Sequence, residues 1–181
     1  MKFKKYKKIW NEFYEGYREI WSEHDYEYHS YMIIKHILSE LPVPKTGKLI
    51  QLGTSLGLSI ELLCNKYGED RVIGYDLFNP LKHPNIEVRD LENNFLQDIE
   101  ISFCDIDIGV LNDDTDLRKK YYSWAKKNLV VGGYILVNKK IVGKLNKNFE
   151  TIDLASFDNT NIWENPHKNR IFTKTLVKRI S

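Results

Sequence analysis

The stretch GKLIQLGTSLGLSIELLCNKYGEDRVIGYD, Gly47 to Asp76, constrains the fold more than any other part of the chain. Lys48–Leu52 is short and apolar, as a strand buried on both faces should be. Gly53 and Gly57 then bracket a tight turn. Ile60, Leu62, Leu63 and Tyr67 follow at helical spacing, and Gly68 stands where a helix ends on glycine. Arg71–Asp76 is a second apolar run that closes on an acid. A strand feeding a helix through glycines, then a second strand, places free backbone N–H groups and a helix N-terminus beside one crevice. Asp76 stands at the carboxyl end of the second strand, where it can accept hydrogen bonds from two ribose hydroxyls. A nucleoside-bearing ligand suits that geometry. A pyrophosphate does not, because the dinucleotide pattern G-x-G-x-x-G needs a glycine where this chain has Ser55.

The rest of the chain repeats the alternation. The spacing predicts strands over Ile86–Arg89, Ile99–Asp105, Tyr134–Asn138, Phe149–Leu154 and Arg170–Val177. It predicts a helix capped by Asp113, Asp114 or Thr115 and continued by Leu117, Tyr121, Trp124 and Ala125. Gly132-Gly133 reads as the turn into the fifth strand. Leu77–Asn85 carries two prolines and has no room for a full helix. Before the first strand, Trp10, Phe13, Tyr14, Tyr17 and Trp21 recur at helical spacing. A second helix runs from about Asp25 to Leu41, with Ile33, Ile34, Ile37, Leu38 and Leu41 on one face, until Pro42 and Pro44 stop it. The aromatic face of the first helix has three open uses: packing on the sheet, capping the crevice, or forming the seam of a homodimer.

The turn GTSLG, with an acid after each of strands two, three and four, resembles motif I and its sequel in the class I S-adenosylmethionine-dependent methyltransferases. The variant G-T-S/G-T-x-x-G belongs to their small-molecule O-methyltransferases. The run NLVVGGYILV, Asn128–Val137, is similar to that family's L-x-P-G-G turn and strand. The likeness covers roughly residues 48–177. It implies an α/β fold: a doubly wound Rossmann-like sheet, mostly parallel, with an antiparallel last strand. Residues 1–44 form accessory helices and 45–181 the core of a single domain. It implies S-adenosylmethionine as cofactor, held by Gln51, Gly53, Thr54, Ser55, Gly57, Asp76, Asp90 and Asp105. Asp90 would meet the adenine amino group. Gln51 stands where the family has Glu or Asp.

Methyl transfer from a sulfonium is an in-line displacement, so the protein mainly aligns the reactants. In the metal-dependent members, an Asp after strand four and an Asp-Asp or Asp-Asn pair after strand five bind a divalent cation. Asp105, with Asp107 nearby, matches the first position; the second reads Asn138-Lys139. A protonated lysine cannot ligate a cation. Lys139 therefore has three readings: it points away from a weak magnesium site, it stands in for the cation beside Asp105, or it begins a solvated basic loop. No metal is expected. His24 or His29 can serve as general base if the N-terminal helices cover the crevice, and His36 lies on the same pair. Trp163 and His167, in a late polar loop, are candidates for shaping the acceptor pocket.

The chain has 181 residues, 42% of them hydrophobic, enough for one domain with a real core. A net charge of +2 does not point to nucleic acid, and no apolar run reaches membrane-spanning length. Cys64 and Cys104 read as buried free thiols, which suits a cytoplasmic protein. The expected function is S-adenosylmethionine-dependent methyl transfer to a small-molecule acceptor, with a hydroxyl as the acceptor group, independent of metal. The alternative is a non-catalytic module of the same fold that acts through cofactor or protein contacts.

Overall fold

The computed structural model describes residues 25–108, 114–154 and 174–181, without the side chains of residues 25–30 and 32. Seven strands form one sheet: β1 (Lys48–Leu52), β2 (Val72–Asp76), β3 (Ile86–Val88), β4 (Ile101–Ile106), β5 (Leu129–Asn138), β6 (Phe149–Ile152) and β7 (Lys174–Arg179). Their spatial order is β3-β2-β1-β4-β5-β7-β6. β7 is antiparallel to both neighbours, and the pairings from β3 to β5 are parallel. This is the doubly wound sheet with an antiparallel last strand that the sequence implied. The order reverses between β1 and β4, and at such a switch the loops leave the carboxyl ends of two strands in opposite directions and open a crevice.

Among the described residues four α-helices flank the sheet: α1 (Asp25–Glu40), α2 (Leu58–Tyr67), α3 (Thr115–Asn128) and the short α4 (Lys139–Val142). The apolar face expected on α1 is the buried one: Ile33, Ile34, Ile37 and Leu38 are all in the core. They join Ile60 and Leu63 of α2, and Leu49, Phe103, Leu136 and Leu176 of the sheet, in one cluster. The opposite face carries Ile50, Leu52, Cys104, Ile135 and Val177 against Tyr121, Trp124 and Ala125 of α3. Each such side chain contributes roughly 1.5–3 kcal/mol by leaving water. α3 starts where a cap was expected, at Asp114, whose side chain accepts the Leu117 N–H at 2.8 Å. The core thus has a layer of helix on each side of the sheet, and the central strands β1 and β4 are hidden on both faces.

Two expectations change. Gly132 and Gly133 do not turn the chain; both lie inside β5, which begins at Leu129. The register of β5 against β4 shifts between Ile101 and Phe103, so the glycines belong to a bulge that the strand passes through. Second, β4 runs to Ile106, one residue beyond its expected end. Asp105 therefore sits within the strand rather than past it. Between β2 and β3 there is no helix, only turns, as the two prolines require. The first of the two expected N-terminal helices lies outside the described residues, with its aromatic face.

Candidate active site

The crevice floor is the turn Gly53–Gly57. Gly53 donates its N–H to the Tyr75 carbonyl at 2.8 Å, and Gly57 donates to the Thr54 carbonyl at 2.9 Å. Gly53, Ser55 and Gly57 all have positive φ, of 84°, 49° and 82°. A Cβ on Gly53 would lie 2.7 Å from the Asp107 carbonyl oxygen, so only glycine lets the turn rest on the residue after β4. At Gly57 a Cβ would lie 2.6 Å from Ile86 Cδ1. Its bareness thus serves packing of the α2 start against β3.

Asp76 ends β2 at the crevice rim. Its Oδ2 accepts the Ser55 N–H at 2.8 Å, and its Oδ1 accepts the Phe78 N–H at 3.3 Å. Partial burial pushes its carboxyl above the usual range, and the backbone N–H groups pull it back down. Each carboxylate oxygen has a second lone pair, so the residue can hold the turn and still accept from a ligand hydroxyl. Asp90 shapes its own turn. It accepts from the N–H groups of Glu92 and Asn93 and, at 2.7 Å, from the Asn93 amide. The Asn93 side chain and backbone hold its carboxyl below the ordinary value.

Asp105 is fully buried. Gln51 donates Nε2 to its Oδ2 at 3.1 Å. Among the described residues the ammonium that meets Asp105 is not Lys139, as one reading of the sequence had it, but Lys174, the first residue of β7. Lys174 Nζ lies 3.6 Å from Asp105 Oδ1 and 2.9 Å from Asp107 Oδ2. Lys139 is exposed on the first turn of α4, whose N-cap Asn138 accepts the Lys140 N–H at 3.0 Å. Burial pushes the Asp105 carboxyl up to about 6; Lys174 opposes that rise and Asp107 adds to it. Gln51 now has a physical reason. A carboxylate at that position would put a third negative charge into this cluster, while an amide donates to it. Gln51 Oε1 and Thr54 Oγ1 are buried without a hydrogen-bond partner among the described residues.

The structure thus brings together Gln51, Gly53, Thr54, Ser55, Gly57, Asp76 and Asp105, on β1, β2, β4 and one turn. His29 lies on α1 with its side chain outside the described part; His24, Trp163 and His167 are also outside it. His36 is buried in the core side of α1. Among the described residues no group of three or more His, Cys, Asp or Glu is placed to hold a metal ion. No helix among them is long and apolar enough to cross a membrane. Lys174 is the member that sequence reasoning missed. The one signal was a lysine inside the predicted strand Arg170–Val177, and nothing local separates that from a lysine on a solvent-facing strand position.

No protein-family model matches the sequence, and no curated protein matches it. Solved structures resemble it at low identity. A S-adenosylmethionine-dependent methyltransferase from Clostridium acetobutylicum ATCC 824 is 21% identical, over 80% of this chain and 64% of the other, with a TM-score of 0.47. DesVI of Streptomyces venezuelae is 14% identical, over 81% and 63%, with a TM-score of 0.47. The plantazolicin methyltransferase BpumL is 9% identical, over 97% and 91%, with a TM-score of 0.47. The chain spans less than two thirds of the length of the first two. The fold is the Rossmann-like sheet of the class I methyltransferases. Its own strand order and single antiparallel strand carry that statement.

Proposed function

We propose that this chain binds S-adenosylmethionine in the crevice above Gly53–Gly57 and transfers its methyl group to a small-molecule acceptor. The observation that carries the reading is the Asp76 carboxylate at the strand end, bonded to the Ser55 N–H of the glycine turn. A carboxylate fixed there accepts two vicinal ribose hydroxyls, and the absence of a glycine at position 55 disfavours a pyrophosphate. Gln51 Oε1 and Thr54 Oγ1, both buried and unspent, are polar atoms available to the amino-acid portion of such a cofactor. Bound there, the cofactor supplies an activated methyl. The chain's own residues supply alignment: Asp76 holds the ribose end, and the turn holds the backbone close. A hydroxyl is the acceptor group we favour, with no metal in the reaction, since an ammonium already stands between Asp105 and Asp107.

The burial of Asp105 favours one second reading. With that carboxylate covered and paired, it does not reach an acceptor as a base, so the chain can be a cofactor-binding module without turnover. Calorimetry with S-adenosylhomocysteine, S-adenosylmethionine and NAD tests the binding. Affinity for the first two and none for NAD is expected; NAD binding alone would overturn the proposal. Release of S-adenosylhomocysteine during incubation with candidate small-molecule hydroxyl acceptors then separates transferase from module.

A further inference from the structure

Lys174 enters the sheet opposite Asn138 of β5 and is itself buried. Its ammonium meets two carboxylates, Asp107 at 2.9 Å and Asp105 at 3.6 Å, both nearly or fully covered. Two carboxylates in so little water cannot both stay charged without a cation beside them. The cluster has a second feature: Asp107 is the residue on which the glycine turn rests. Its N–H donates to the Leu52 carbonyl at 2.8 Å. Its carbonyl oxygen lies where a Cβ on Gly53 would be only 2.7 Å away. Gly53 in turn leads in two residues to Ser55, whose N–H meets Asp76. A continuous path of contacts therefore joins the lysine on the last strand to the floor of the crevice.

We propose that Lys174 is a positioning residue for the crevice turn: by holding the Asp107 side chain it fixes the Asp107 backbone under Gly53 and so sets the turn that faces the ligand. The inference rests on the cofactor reading for its functional meaning, but its geometric content stands on contacts within the chain. It assigns a role to a residue 121 positions away in sequence from Gly53 (174 minus 53), on an antiparallel strand at the far side of the switch.

The test separates positioning from plain stability. Lys174→Met keeps the stem and removes the charge; Lys174→Arg keeps the charge; Lys174→Met with Asp107→Asn removes both sides of the shorter pair and leaves one buried carboxyl, Asp105, still held by Gln51. Two readouts are taken on each folded variant at neutral pH: the amide cross-peaks of Gly53 and Ser55 in glycine- and serine-labelled protein, and S-adenosylhomocysteine affinity by calorimetry. We expect the double variant to regain most of the melting temperature lost by Lys174→Met. Its Gly53 and Ser55 amides should nevertheless stay displaced and its affinity stay at least tenfold weak. Lys174→Arg should return the amides toward their original positions. A double variant with both amides at wild-type positions overturns the proposal, since the lysine then serves stability alone. If Lys174→Met does not fold, the double variant gives the same decision. If wild-type protein binds no S-adenosylhomocysteine, the cofactor reading falls, and the amide positions still decide the role of Lys174.

Discussion

Asp76 and Asp105 stand at the carboxyl ends of the two strands that flank β1, yet they have opposite surroundings. Asp76 is the last residue of β2, sits at the rim and is bonded to backbone N–H groups. Asp105 is the penultimate residue of β4, has no exposed surface and shares an ammonium with Asp107. Through the shared neighbour β1, Asp105 lies level with Gly74, two residues deeper in the sheet than Asp76. Being at a strand end is thus a weak indicator of function; how deep in the sheet the carboxylate sits decides what it can meet. The difference also sorts the chemistry. The rim acid keeps lone pairs that a ligand hydroxyl can use, and the inner acid faces Gln51 of β1 and Lys174 of β7.

The comparison breaks most severely at Lys174. Removing the cation takes from two covered carboxylates the ammonium they share, and breaking a buried ion pair from one side costs about 3–5 kcal/mol. Denaturant unfolding of Lys174→Met at neutral pH should show a loss of that order, far more than any change at Asp76. An unchanged midpoint would mean that the cluster is open to water.

Next comes Gly53→Ala. It adds a Cβ against the Asp107 carbonyl at a φ of 84°, a combination costing roughly 1–3 kcal/mol in backbone strain alone. Thermal unfolding should register the loss, and S-adenosylhomocysteine affinity should fall with it, because the turn cannot rest on β4. An alanine variant with both values intact would show that the turn does not need that contact.

Asp76→Ala acts on recognition more than on stability. Losing one side of a charged hydrogen bond weakens S-adenosylhomocysteine binding by about 1–3 kcal/mol. The melting temperature should move less than in Gly53→Ala. Affinity at the wild-type level would remove Asp76 from the ribose.

The smallest effect at neutral pH, and the sharpest contrast, is Asp105→Asn. The folded carboxyl is raised to about 6 from an ordinary 3.8, so the folded state holds more protons than the unfolded state between those values. The contribution of Asp105 to stability is fully present below the lower value and is lost as pH rises through the upper one. In a melting series from pH 4 to pH 7, wild type should therefore carry a falling component that Asp105→Asn lacks. At pH 7 and above the variant should melt at or above wild type, because it no longer buries a second carboxylate. Parallel pH curves for the two proteins would contradict the assignment.

The alternation of strand and helix was legible in the linear chain because it is written in local chemistry. Lys48–Leu52 is apolar throughout, the α1 face repeats at helical spacing, Pro42 stops that helix, and Asp114 caps α3 with its own side chain. The turn Gly53–Gly57 and the acid Asp76 were legible for the same reason: their roles are set within thirty residues. What tertiary structure decided depends on register and on distant partners. Gly132 and Gly133 look like a turn, but the β4 ladder draws them into β5 as a bulge. Lys139 has three readings from sequence, one of them the cation for Asp105; α4 turns it outward into solvent, and β7 brings Lys174 to Asp105 instead. No local pattern encodes that exchange. An ion pair costs nothing in sequence until two strands 69 residues apart (174 minus 105) are laid side by side, and only then does the low polarity between them make one lysine indispensable.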